Sequence, residues 1–236
     1  MPTCFHPPSA WPGTAGELVS AQRDLAAQQP PEWRPSEGPL LVAGCFVCFP
    51  RAYSGAGTAG DPAWAAATLF DGRRRIASAV APGAAAAPYE PGLLAMREGA
   101  MLDAAVRRLP LRPDVLLVNA TGRDHPRRGG LALHLGAVLD LPTVGVTHRP
   151  LLAAGEWPDD SYRATSPLFL DGEMVARWVR TRRGTRPLVA HAAWRTDPDV
   201  AAETVVRCWC PRRTPQPLRE ARRLARVARA GLTPAT

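Results

Sequence analysis

The run Leu40–Phe49, LLVAGCFVCF, is apolar at every position. A strand turns successive side chains to opposite faces, so a strand that is apolar throughout is buried on both. The chain therefore needs a sheet with Leu40–Phe49 in its interior. Its neighbours follow at once. Ala63–Phe70 and Arg74–Val80 flank Asp71-Gly72, a strong hairpin signal, and give an antiparallel opening of three strands. Pro167–Leu170 and Met174–Val179 flank Asp171-Gly172 and predict a second hairpin.

Between the hairpins the pattern changes. Pro91 sits where a helix can begin, and Leu94, Met101, Leu102, Ala105 and Leu109 follow with helical spacing. Leu116–Val118 and Pro142–Val146 read as strands around a helix at Gly130–Leu139. Later, Pro187–Ala190 is a strand and Asp199–Cys208 a helix. In residues 217–230, Leu218, Ala221, Leu224, Ala225 and Ala228 form one stripe with arginines opposite, read as a solvated face ahead of the alternative, a nucleic-acid arm. Near the start, Thr14 caps a short helix with Leu18, Leu25 and Ala26 inward. The expected organisation is an N-terminal extension over 1–38 and one domain over 39–236. Periodicity alone gives a mixed α/β domain. Its order of three strands, helix, strand, helix, strand is that of a ribonuclease H-like fold with flanking helices.

A chain of 236 residues, 46% of them hydrophobic, can bury a substantial core. The formal net charge of +8 points to a polyanionic partner. No lysine is present, so all 29 basic residues are arginine, which suits bidentate phosphate contacts. A chain this rich in arginine, alanine and proline also fits a biased genome. Five cysteines (Cys4, Cys45, Cys48, Cys208 and Cys210) are too sparse for a disulfide framework and suit a reducing, cytoplasmic setting. Cys45 and Cys48 have metal-pair spacing, with Cys208 and Cys210 to complete a set. Residues three apart on a strand face opposite ways, however, which argues against zinc. The opening residues lack a basic region followed by an apolar core, so no secretory signal is read. No apolar run approaches the ~18 residues of a membrane span.

Ligands gather at the carboxyl ends of strands in α/β proteins. Asn119 stands at such an end, in Val115–Gly130, VLLVNATGRDHPRRGG, where a carboxylate is the natural metal ligand. Upstream the chain reads Pro88-Tyr89-Glu90-Pro91-Gly92-Leu93-Leu94-Ala95-Met96-Arg97-Glu98-Gly99. Downstream come Gly122, His125-Pro126-Arg127-Arg128 and Gly130-Leu131-Ala132-Leu133-His134-Leu135-Gly136, then Pro142-Thr143-Val144-Gly145-Val146. With Val42-Ala43-Gly44 before them, these motifs resemble endonuclease V over roughly residues 40–150. The likeness is fainter beyond, where His191 follows Ala190 in place of a glycine and Pro215–Ala221 resembles a closing segment.

The resemblance implies Mg²⁺-dependent hydrolysis of a phosphodiester near a deaminated base such as inosine. Carboxylates from the first strand, first helix and fourth strand would hold the metal. By the resemblance, the helix glutamate is Glu98, the first-strand aspartate falls at Phe46, and the fourth-strand aspartate is Asn119. The loop histidine is His125, and a lysine position falls at His148. Tyr89 matches an aromatic wedge that enters the base stack. Nucleic-acid contacts are then expected at Tyr89, Pro91, Gly92, Arg97, Gly122, His125, Arg127, Arg128, His148 and His191. Residues 122–128 would offer backbone amides and guanidinium groups to a phosphate. With one carboxylate of three, Glu98 is expected to bind metal weakly or not at all.

Three readings follow. The first is a DNA- or RNA-binding relative that cleaves little or not at all. The second is an active Mg²⁺ nuclease with a rearranged site, rescued by Asp61, Asp103 or Asp124. The third is an interaction scaffold. Phe46, Asn119 and Glu98 are expected to lie within reach of one another.

Overall fold

The computed structural model describes residues 11–51, 55–208, 210 and 212–231. Cys4, Ser54 at the start of the glycine-rich loop, and most of the proline-rich opening lie outside the described residues. The first helix, α1 (Ala15–Ala27), is capped by Thr14 in a reciprocal arrangement with Glu17. Then come β1 (Leu41–Cys48), β2 (Pro62–Asp71), β3 (Arg74–Ala84), α2 (Leu94–Arg107), β4 (Val115–Val118), α3 (Leu131–Leu139) and β5 (Thr143–Thr147). The chain closes with β6 (Thr165–Leu170), β7 (Glu173–Val179), β8 (Leu188–Ala192), α4 (Pro198–Arg207) and α5 (Gln216–Arg229).

The strands form one mixed sheet of order β3-β2-β1-β4-β5-β8-β7-β6. β1 lies in its interior, antiparallel to β2 and parallel to β4. Its alternate side chains feed two cores. Ala43, Cys45 and Val47 pack with Leu102, Ala105 and Leu135 under α2 and α3. Val42 joins the core beneath α4 and α5, and Cys48 packs with Leu224 and Ala225 of α5. Cys45 and Cys48 therefore do face opposite ways. At Gly44 an added Cβ would come within 2.5 Å of the Pro217 backbone, so glycine is what lets α5 dock on the sheet.

Two local expectations change. The first helix after the hairpin begins at Leu94 rather than Pro91. Gly92 adopts φ +79°, which no helix accommodates, and delays the start. Leu18 and Leu25 of α1 enter the core under α2 and α3, as expected. Ala26 is only half-buried, whereas Gln22 is buried. Among the described residues, no helix is long and apolar enough to cross a membrane.

Candidate functional site

β1 and β4 run parallel; β4 ends at Val118, in register with Cys45, and β1 runs on to Cys48. Phe46 of β1 therefore stands beside Asn119, the first residue past β4. Glu98 approaches from α2. Phe46, Glu98 and Asn119 line one hollow of about 180 Å³, so the three expected residues do meet. The Phe46 ring packs toward α5, against the cluster of Leu224 and Ala225, with the Arg222 guanidinium 5.4 Å from its centroid.

The carboxyl of Glu98 shares this hollow with Cys45, Leu94 and Leu102. Burial raises its pKa to about 7, with the charge of Arg97 opposing the shift. Burial also pushes the Cys45 thiol up, so it stays protonated. Mg²⁺ takes hard oxygen ligands in a near-octahedral set. One carboxyl that resists ionisation, one neutral amide and one phenyl ring do not fit that ion. Among the described residues, no group of three or more His, Cys, Asp or Glu side chains is placed to hold a metal.

The carboxylates considered as substitutes are engaged elsewhere. Asp61 pairs with Arg97 at 2.8 Å and accepts from the Thr58 amide and hydroxyl. Asp103 accepts from the Trp11 indole at 3.2 Å and from Arg107 at 2.6 Å. Asp124 is fully buried and accepts from the amides of Leu151, Leu152 and Ala153 at 2.7, 2.8 and 2.9 Å. None of the three lines the hollow.

Glu98→Gln gives a pH-dependent stability change. Below the unfolded value near 4.5 the carboxyl is protonated in both states, and the substitution does little. Between about 4.5 and about 7 the unfolded chain ionises this carboxyl while the fold holds it protonated, so native stability falls across that window and levels off above it. At pH 8 the Gln variant is expected to be more stable by about 2 kcal/mol. Urea titrations at pH 4.5 and pH 8 read the difference; equal offsets at both would refute it.

The expected contact loop is tied into the fold. The Gly92 carbonyl accepts from Gln22 at 3.0 Å and from Arg127 at 2.7 Å, and lies 3.2 Å from His125 Nε2. His125 Nδ1 accepts from the Arg127 amide at 3.2 Å, so a neutral ring protonated on Nε2 satisfies both contacts. Burial lowers its pKa to about 4. Arg127 also donates to Gln22 Oε1, and Arg128 donates to the Leu170 carbonyl and Asp171. Arg97 is buried on Asp61 and the carbonyls of Ala87 and Thr58. Gly122 backs onto the Ala192 carbonyl, where a Cβ would sit at 2.0 Å. His191 is buried, held by Thr147 at 2.8 Å, and its pKa is lowered by burial. By contrast, Pro91 and His148 are exposed, and Tyr89 is 49% exposed.

A larger cleft of about 450 Å³ opens between α5 and the ends of β1 and β4. Phe46, Asn119 and His148 line it from the sheet side, and Arg219, Arg222, Arg223 and Arg226 from α5. Among the described residues, no carboxylate lines it. From sequence these arginines read as a solvated face ahead of a nucleic-acid arm. Their helical spacing was visible; their place over the strand ends was not.

A model of the endonuclease V family matches residues 28–223. The chain belongs to the endonuclease V family. Endonuclease V of Streptomyces coelicolor is 34% identical over 224 residues, covering 94% of this chain and 93% of that protein. The crystal structure of endonuclease V from Streptomyces avermitilis superposes with a TM-score of 0.81 at 32% identity, covering 97% of this chain and 99% of the other. Ciona intestinalis endonuclease V, solved with a 24mer DNA containing an inosine followed by a ribo-adenosine, shares the fold. Its TM-score is 0.73 at 20% identity, covering 92% of this chain and 98% of the other.

Proposed function

We propose that this endonuclease V family member binds DNA or RNA across the carboxyl ends of β1 and β4, recognises a deaminated base there, and cleaves little or not at all. The observation that carries the reading is the hollow between Phe46, Glu98 and Asn119, where the donor set does not suit Mg²⁺. The binding half rests on family membership, on the arginine-lined cleft beside that hollow, and on exposed Tyr89 as a stacking side chain. His125 and Arg127 act as a strut that fixes the Pro91-Gly92 turn. His148 faces the strand from the rim. Its unpaired cysteines suit a cytoplasmic protein.

The test pairs a binding titration with a nicking assay on inosine-containing DNA and RNA. Binding is expected to be weak and to fall steeply with salt, because each neutralised phosphate releases counterions. Nicking in Mg²⁺ is expected at or near background. An active enzyme is the second reading, because Glu98 is turned into the hollow without a hydrogen-bond donor among the described residues. Robust Mg²⁺-dependent nicking, abolished by Glu98→Ala, would establish that reading and overturn this one.

A further inference from the structure

We propose that Arg222 and Arg226 hold a phosphodiester of the bound strand directly, so that guanidinium groups take the place of the divalent cation and binding needs no metal. This rests on the nucleic-acid reading above and assigns its charge to two residues.

The charge of both side chains is uncompensated. Arg222 and Arg226 stand one turn apart on α5, where like charges repel. Their neighbours are neutralised or occupied: Arg223 and Arg75 share Glu220, and Arg229 donates to the Phe49 carbonyl. Arg222 and Arg226 have no carboxylate partner among the described residues. Partial burial, and after it the proximity of Arg226, lower the Arg222 pKa. Two adjacent cations facing a cleft with no carboxylate among its described lining residues make a site that an anion stabilises.

Both side chains are also placed to meet a phosphate. The Arg222 guanidinium lies 5.4 Å from the Phe46 centroid, and the ring gives the planar group a surface to rest on. Both arginines open onto the strand ends where Phe46 and Asn119 stand. A carboxylate at either position would repel a phosphate unless a cation lay between them. A phenyl ring repels nothing, and the Asn119 amide can donate to a phosphate oxygen. Both departures from the metal-binding pattern thus favour direct contact between phosphate and arginine. Guanidinium groups provide the planar, bidentate donors that such contact uses.

The test uses the full chain and fluorescent inosine-containing 20-mers of DNA and of RNA, read by anisotropy with EDTA or with MgCl₂ at matched ionic strength. For the native protein, Kd is expected to agree within about twofold between the two conditions. Arg222→Gln with Arg226→Gln should weaken binding about 10- to 100-fold and reduce the salt slope by about 2. Arg108→Gln with Arg112→Gln removes the same charge at the amino end of β4 and should change affinity far less. Circular dichroism and the thermal midpoint confirm that each variant is folded. Native binding that the Arg222 and Arg226 changes leave intact would overturn this inference and leave the nucleic-acid reading standing. Binding abolished by EDTA would overturn it in favour of a metal. Failure of the native protein to bind any DNA or RNA would overturn both.

Discussion

Asp124→Ala lowers the unfolding free energy by about 3–4 kcal/mol and opens residues 151–153 to proteolysis. The carboxylate is fully buried and accepts three backbone amides. A hydrogen bond to a charged group contributes about 1.5–3 kcal/mol net, and a buried donor left unpaired costs about 1–3 kcal/mol. The amides of Leu151 and Leu152 belong to exposed residues and can turn to water, whereas Ala153 is buried. The sum is therefore smaller than three full bonds. Asp124→Asn separates the contributions. Its remaining oxygen can keep the Oδ1 contacts to Leu152 and Ala153, while its amide would oppose the Leu151 donor, so about half the loss is expected. Chemical denaturation and limited proteolysis read both effects. A variant of unchanged stability that instead altered metal binding would restore Asp124 as a candidate ligand.

Asp124 also marks where sequence reading stops. Its motif is readable, but its partners lie 27 to 29 residues downstream, and only the folded chain brings them together. Arg127 behaves alike: from sequence it is a basic loop residue, and in the fold it clamps Gly92 to Gln22 of α1. The strands were legible because burial on both faces leaves a continuous apolar run, as in β1, and because both Asp-Gly turns announce their hairpins. The meeting of Phe46, Glu98 and Asn119 was legible from the family motifs. The arginine cleft was not. Whether the polar face of an amphipathic helix looks to water or over a strand end depends on docking, here through the close approach of Pro217 to Gly44.

Restoring the carboxylates by Phe46→Asp with Asn119→Asp is expected to give only a modest gain in Mg²⁺ affinity, because of Arg222. The Phe46 side chain points toward that guanidinium, so an aspartate there gains an ion-pair partner before it meets a metal. A divalent ion ~6 Å from a unit positive charge is repelled by about 5 kcal/mol at an effective dielectric constant of ~20. Solvent in the open cleft reduces that to a few kcal/mol. Adding Arg222→Ala removes both the competitor and the repulsion. The triple variant should then bind Mg²⁺ at least about tenfold more tightly than the double, since about 1.4 kcal/mol is tenfold. Calorimetric titration of native, double and triple proteins gives the order directly. Equal affinity in the double and triple variants would remove Arg222 from the argument, and tight Mg²⁺ binding by the native protein would overturn the whole account of the hollow. The same three proteins carry a second signature. If guanidinium charge stands in for the cation, nucleic-acid binding by the native chain is indifferent to EDTA. The triple variant, with carboxylates in place and that arginine gone, should bind strongly only when Mg²⁺ is present. Nicking of inosine-containing strands, if it emerges at all, should emerge in that variant.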